Sequence, residues 1–304
     1  MPIITTNRIV SNFNRFTSPN KLHRQPAPTS VETQKGTLLD KPVTTTRRSI
    51  AAFLAPLEEL AVRSELVRVC RYGSFQIHGD RYSLPSFIFT GPGVGSTDPI
   101  RLAIFATLHG DEPEGALALT EFFRELVRQP SLASGFQIYA YPLCNPTGYE
   151  DNTRHSRGGK DLNREFWQSS AEPEVLYLED ELWRHQFSGL ISLHSDDTTT
   201  GLYGFIQGPD ISTELLLPAL WAAEKILPRN EQRIIDGFPA NRGLVQQGYR
   251  GVLSAPAEAR QVPFDITFET PQAAPVHLQV KASMAALKCI IAEYRALQAT
   301  AQNI

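Results

Sequence analysis

The sequence predicts an α/β fold built on an open, mostly parallel sheet. Three observations carry that prediction. Apolar runs of strand length alternate with helical patterns along most of the chain. The run from Leu102 to Leu108 stops at His109, turns through Gly110 and passes into a helical pattern at Leu119, Phe122, Phe123 and Leu126, with Pro113 in the first turn. Two further apolar runs, 189–193 and 264–268, stop just as abruptly at His194 and Glu269. Strand ends of open α/β sheets are where sites form.

Composition bounds the function. With 304 residues, the chain holds one large domain or two small ones. The 29 basic and 32 acidic residues give a net charge of −3, which argues against a general nucleic-acid binder. No apolar stretch approaches the ~18 residues of a membrane span. Cys70, Cys144 and Cys289 are odd in number, widely spaced and without a CxxC pair, against a disulfide framework or a thiolate zinc site. Idle thiols fit a reducing compartment, and the expected location is cytoplasmic.

Residues 1–48 read as a separate, flexible basic arm rich in Ser, Thr, Asn and Pro. Eight basic residues face only Glu32 and Asp40, a net +6, so the remaining chain carries −9. The arm lacks the apolar core of a secretory signal. A free arm, an arm lying on the acidic body and an organelle transit segment all fit its composition. The folded domain is expected at 49–304.

Within that domain, Ile50–Val67 reads as an amphipathic helix with Leu54, Leu57, Leu60 and Ala61 on one side. Val67–Ile77 and Tyr82–Thr90 read as strands around a Gly79-Asp80 turn, with His78 a turn histidine. Gly91-Pro92-Gly93 and Gly95 form a loop, not a phosphate-binding loop, because no Gly-Lys-Ser/Thr follows. Phe136–Tyr141 is a strand. Asn145–Gln168 is a long polar loop, and loops of this length inside a compact domain are usually functional. Glu172–Phe187 reads as a helix, Gly189–Leu193 as a strand, and Ile211–Ile226 as a helix interrupted by Pro218. Residues 228–262 read as irregular. Phe264–Phe268 is a strand, and Val276–Tyr294 a final helix with Val280, Met284, Leu287, Ile291 and Tyr294 on one stripe. No internal repeat is present.

The chemistry gathers at the strand ends. A neutral imidazole and a carboxylate three residues apart, as in His109 and Glu112, can grip one Zn²⁺ from the same side. Acids near a helix N-terminus are also favoured by the helix dipole alone, and a lone histidine at a strand end is usually structural. Two such histidines, one with a glutamate beside it, form a constellation.

Four motifs in order, HGDE at 109, NPTG followed by RHSRGGKDLNR across 145–164, LHS at 193 and FET at 268, resemble the zinc carboxypeptidase superfamily. That superfamily includes metallocarboxypeptidases, murein-peptide amidases and the succinylglutamate desuccinylase/aspartoacylase group. The resemblance covers roughly residues 65 to 296. It implies a three-layer α/β/α sandwich around a central mixed, mostly parallel twisted sheet. It implies one Zn²⁺ per chain, held by His109, Glu112 and His194 with one position open to water. Asp161 matches the acid behind the first zinc histidine. Asn163 and Arg164 match the pair that holds a terminal carboxylate, which suits the guanidinium fork. Asn145 matches a further carboxylate contact. Arg154 matches the arginine that holds the developing oxyanion, in preference to its competitor Arg157. Glu269 matches the general base. Tyr249 matches a mobile-loop tyrosine only across a short gap, and an ordinary loop tyrosine is the alternative.

The resemblance implies a zinc-dependent hydrolase that cleaves an amide bond next to a free carboxylate, with a small peptide as substrate. The alternative is an N-acyl amino acid deacylase of the aspartoacylase type. An inactive binding protein is disfavoured by the presence of Glu269 beside all three ligands. The separate C-terminal β-domain of the aspartoacylase group is not recognisable, and the final helix favours a single domain. The floor of the specificity pocket is expected near Leu253–Ala255, where no acid stands. Asp196 and Asp197 are expected to line the cleft or cap a turn. No nucleic-acid or membrane partner is expected.

Overall fold

The computed structural model describes residues 47–95, 98–259 and 263–301. Ten strands form one mixed sheet in the order β1-β2-β4-β3-β5-β10-β6-β9-β8-β7. They are β1 (Val67–Ile77), β2 (Asp80–Thr90), β3 (Ile100–Ala106), β4 (Phe136–Tyr141), β5 (Gly189–Asp196), β6 (Tyr203–Gln207), β7 (Ile234–Ile235), β8 (Phe238–Asn241), β9 (Leu244–Val245) and β10 (Phe264–Pro271). The centre, β4-β3-β5-β10, is parallel, and antiparallel pairs flank it.

The helices are α1 (Ile50–Arg63), α2 (Glu114–Arg128), α3 (Pro146–Asp151), α4 (Pro173–His185), α5 (Ile211–Ala223) and α6 (Val276–Ala301). One face of the sheet is covered by α1, α2, α5 and α6, through Leu57, Phe122, Phe123, Leu216, Leu220 and Leu287. On the other face, α4 packs Val175, Leu178 and Leu182 against Ala103, Phe105, Tyr141 and Leu190. This is the three-layer α/β/α architecture expected from the sequence.

Several boundaries move for local reasons. Ser49 caps α1, its hydroxyl accepting from Ala52 N–H, and the helix stops at Arg63 where Ser64 turns extended. Pro218 lies inside α5 without ending it, and α6 runs seven residues past Tyr294. The segment 228–262 is not wholly irregular: it contains β7, β8 and β9. Strands of two to four residues are too short to show a period, so nothing in the pattern announced them. The expected strand list also lacked β6, which pairs antiparallel with β10.

Residues 1–46 of the expected arm lie outside the described residues. Arg47 and Arg48 are docked on the body. The Arg47 guanidinium pairs with Asp80 at 2.8 Å, the Arg48 N–H donates to Glu150 O at 2.8 Å, and the Arg48 guanidinium donates to Gly110 O at 3.4 Å.

Candidate metal centre and substrate cleft

The parallel strands β3, β5 and β10 lie side by side and end together. Thr107, just past β3, takes a left-handed φ of 55°, a strained conformation for a β-branched residue. That turn sends the chain out of the sheet toward His109. Gly110 then packs on Gly148 so closely that a Cβ there would lie 1.9 Å from the Gly148 carbonyl carbon, so only glycine fits. This contact seats the metal-ligand loop on the start of the long polar loop. Parallel register sets Glu269 beside His194, on the same face of the sheet.

His109, Glu112 and His194 are buried and converge. His109 Nδ1 lies 2.6 Å from Glu112 Oε1, His194 Nδ1 lies 2.9 Å from Glu112 Oε2, and the two Nδ1 atoms are 3.2 Å apart. Tetrahedral coordination at zinc–nitrogen lengths of about 2.0–2.1 Å separates two ligand nitrogens by about 3.3 Å. The donor set, two imidazoles and one carboxylate, and its spacing therefore fit a zinc-type ion. Burial would push the Glu112 carboxyl up, but the two histidines outweigh it and hold the carboxyl low. Burial lowers His194, which favours the neutral form that ligates. His194 Nε2 has no partner among the described residues. Ser195 N–H donates to Glu112 Oε2 at 3.1 Å and steadies that carboxylate.

Asp161 and Arg154 lie beside this cluster. Asp161 Oδ1 lies 3.2 Å from His109 Nε2, and its other oxygen accepts two bonds from Arg154, at 3.0 and 3.2 Å. Arg154 Nη1 also approaches Glu112 Oε1 at 3.4 Å, while the guanidinium borders the cleft. Arg157 is elsewhere: it pairs with Glu150, Asp151 and Asp80 and donates to Tyr82 Oη, so it does not compete with Arg154.

Asn163, Arg164 and Tyr249 form one corner of the cleft. Asn163 Oδ1 accepts from Leu253 N–H at 2.9 Å, which leaves its amide nitrogen for a ligand. The Arg164 guanidinium lies 4.0 Å from the Tyr249 ring centroid and donates to Asn163 O at 2.7 Å. No carboxylate pairs with it among the described residues. Tyr249 Oη donates to Asp236 O at 3.2 Å. A Cβ on Gly251 would meet Arg164 O at 2.1 Å, and its φ is +72°, so glycine is needed where this loop crosses the cradle.

Asn145 corrects the expectation. It is fully buried and does not line the cleft. Its Oδ1 accepts from Gly148 N–H at 2.8 Å and caps α3, while Nδ2 donates to Leu108 O and Arg154 O, both at 3.3 Å. Every polar atom is spent inside the protein, tying the two loops together, so no contact with a substrate carboxylate remains available.

Glu269 lines the cleft. Burial, then the charges of Glu112 and Asp196, push its carboxyl well above the usual range, and no cation pairs with it among the described residues. The cleft encloses about 340 Å³. Asp196 both lines it and caps a turn, accepting from Thr198 N–H and Oγ1 at 2.7 Å and from Tyr203 Oη at 2.8 Å. Asp197 lines it too. The expected floor at Leu253–Ala255 does not line the cleft, because Leu253 and Ala255 turn into the core on the α4 side; the wall is made instead by Val252, by Tyr203, Phe205 and Gln207 of β6 and by Asp236 in the β7–β8 turn. No sequence signal marked these, because β6 and the β7–β8 hairpin were not recognised as elements.

Residues 98–215 match the family model of the succinylglutamate desuccinylase/aspartoacylase catalytic domain. A comparison with curated proteins found no significant match. Among solved structures, a protein of Shewanella denitrificans provisionally named a metallopeptidase aligns with a TM-score of 0.65 at 23% identity, covering 80% of this chain and 89% of its own. Carboxypeptidase A of Helicoverpa armigera aligns with a TM-score of 0.62 at 19% identity, covering 84% and 75%. A metallo-carboxypeptidase of Pseudomonas aeruginosa, in complex with (2-guanidinoethylmercapto)succinic acid, aligns with a TM-score of 0.58 at 20% identity, covering 78% and 67%. At these identities the likeness establishes the fold. Residues 98–215 are thus similar to that catalytic-domain family, and the chain shares its fold with these metallopeptidase and carboxypeptidase structures. Among the described residues, no helix is long and apolar enough to cross a membrane.

Proposed function

We propose that the protein is a zinc-dependent amide hydrolase of the metallocarboxypeptidase type, cleaving beside a free carboxylate. The observation that carries this reading is the meeting, at one cleft, of the His109–Glu112–His194 cluster with Glu269 and the Arg164 guanidinium, neither of which has an oppositely charged ion-pair partner among the described residues. When bound, the metal supplies Lewis acidity, acidifying water toward neutral pH and polarising a carbonyl. His109, Glu112 and His194 would hold it, and Asp161 would orient the His109 ring. Arg164 and Asn163 would grip the substrate carboxylate through a guanidinium fork and an amide N–H. Glu269 would take a proton from the attacking water and deliver it to the leaving nitrogen. Arg154, fixed by Asp161, would stabilise negative charge developing on the carbonyl oxygen. The ligand of the Pseudomonas aeruginosa neighbour bears carboxylates, which accords with a carboxylate cradle on this fold.

The family match favours a second reading, deacylation of an N-acyl amino acid. It uses the same residues, since the amino-acid carboxylate would sit in the same cradle. The test is turnover of short peptides and N-acyl amino acids by the zinc-loaded protein, each with its carboxylate free or amidated. Loss of turnover on amidation supports the reading. Equal rates on free and amidated forms refute a role for Asn163 and Arg164 in gripping that group.

A further inference from the structure

Two of the three residues of the metal site sit on one short turn, and that turn is held from outside the cleft as well as from within it. Glu112 N–H donates to His109 O at 3.2 Å, which closes the turn. Gly110, at its bend, is buried. Its N–H donates to Arg154 O at 3.4 Å, and its α carbon is pressed against Gly148 and the Tyr149 nitrogen. The Gly110 carbonyl oxygen accepts from Arg48 Nη1 at 3.4 Å, and no other donor reaches it among the described residues. A buried carbonyl left without a donor is costly.

Arg48 comes from a distant part of the chain, 62 residues before Gly110. It is already in place before it meets the turn. Its backbone N–H donates to Glu150 O at 2.8 Å. The next residue, Ser49, caps α1 by accepting from Ala52 N–H at 3.2 Å, so the chain is fixed on both sides of the Arg48 side chain. The Arg48 guanidinium carbon lies 5.4 Å from the Tyr149 ring centroid. Tyr149 in turn stacks on Phe53 of α1, with centroids 4.2 Å apart. A flat guanidinium suits that place, because it can lie over a ring and donate from its edge at the same time.

The neighbouring arginine behaves differently. Arg47 spends its charge on Asp80, Glu150 and Asp151 and makes no contact with the turn. It docks the segment at the surface. Arg48 has no ion-pair partner among the described residues, and it does not line the cleft. Whatever it does for the metal site, it does through Gly110.

We propose that Arg48 is a positioning residue for the metal centre: from the start of α1 it holds the Gly110 carbonyl, and with it the spacing of His109 and Glu112. This rests on the metal site in the function proposed above and adds a support to it. The test compares the full chain as wild type, Arg48→Met, Arg48→Lys and Arg47→Ala. Zinc affinity is read by competition with a chelator, and hydrogen exchange is read on the metal-free protein. Arg48→Met keeps the length of the stem over Tyr149 and removes the donor. It should weaken zinc binding roughly ten- to a hundredfold, as loss of an outer support of a metal site does. It should also speed exchange of the Gly110 and Glu112 amides by roughly tenfold or more, while the amides of β3 and β5 stay protected. Arg48→Lys keeps a charged donor and should recover most of the lost affinity. Arg47→Ala should match wild type in both readouts. A lower melting temperature in Arg48→Met with zinc affinity and exchange unchanged would make Arg48 a structural residue and overturn the proposal. An equal loss of affinity in Arg47→Ala would overturn it too, since docking of the segment would then explain the effect. A wild type that takes up no zinc counts against the proposed function; exchange in the metal-free protein still decides whether Arg48 holds the turn.

Discussion

Glu269→Gln separates a catalytic carboxylate from a structural one, because the two roles predict opposite effects on stability. The substitution keeps shape and size. No cation pairs with Glu269 among the described residues, so no ion pair is broken. What is removed is a carboxylate disfavoured by burial and by the nearby charges of Glu112 and Asp196. Melting temperature should therefore hold or rise. Activity should collapse. General acid–base catalysis contributes about 10² to 10⁴ in rate. One carboxylate serving both proton transfers belongs at the upper end, a loss near 10⁴ in kcat/KM, or about 5 kcal/mol of transition-state stabilisation at 1.36 kcal/mol per tenfold. The assay is kcat/KM on a free-carboxylate substrate, with metal content and melting temperature read on the same sample. A folded, metal-loaded variant that keeps more than about a tenth of wild-type activity refutes the assignment. The base would then be sought first at Asp197, since Asp196 is committed to Thr198 and Tyr203.

Asp161→Ala should leave the three ligands in place yet weaken metal affinity roughly ten- to a hundredfold, measured by competition with a chelator; unchanged affinity would reduce Asp161 to a partner of Arg154. Asn145→Ala should cost about 2–4 kcal/mol in denaturant unfolding, because it removes a helix cap and strands the buried carbonyl of Leu108. A large rise in KM with full stability would instead restore Asn145 as a substrate contact. Glu174 is fully buried in the first turn of α4 with neither oxygen well bonded, and burial pushes it up to about 7. A raised carboxyl contributes its full stability below its unfolded value of about 4.3 and loses it as pH rises toward 7, by up to about 3 kcal/mol. Glu174→Gln should therefore raise the melting temperature at pH 8 but not at pH 4, and an equal effect at both would show that Glu174 does not titrate in this range.

What the sequence revealed and what it hid divide along physical lines. Long apolar strands that stop at a charged residue are conspicuous, so β3, β5, β10 and the residues His109, His194 and Glu269 could be read directly. The DLNR segment could be read because Asp161, Asn163 and Arg164 sit in a compact run. Asn145 misled because an asparagine that caps a helix and one that grips a ligand look alike in sequence. Only the accounting of its hydrogen bonds tells them apart. The inner wall of the cleft was invisible for another reason. Gln207, Asp236 and Thr267 belong to different elements and line one cleft only through the pairing of β6 with β10 and the β7–β9 hairpins.

The same division explains why a deacylase family model and peptidase structures both resemble this chain. The matched segment, 98–215, contains His109, Glu112, Arg154, Asp161, Asn163, Arg164 and His194. In the function proposed here these residues would hold a metal, a carbonyl and a carboxylate, and either reaction would use them. Asp236, Tyr249 and Glu269 all lie outside that segment. Apart from Glu269, which either hydrolysis would use, they are cleft wall. A match confined to 98–215 therefore bears on the chemistry common to both branches and hardly at all on the substrate. Substrate choice has to be read from the strand pairing that brings β6, β10 and the 248–252 loop around one cavity. That is why the decisive comparison is between substrates differing in one side chain, not between peptides and acyl amino acids as classes.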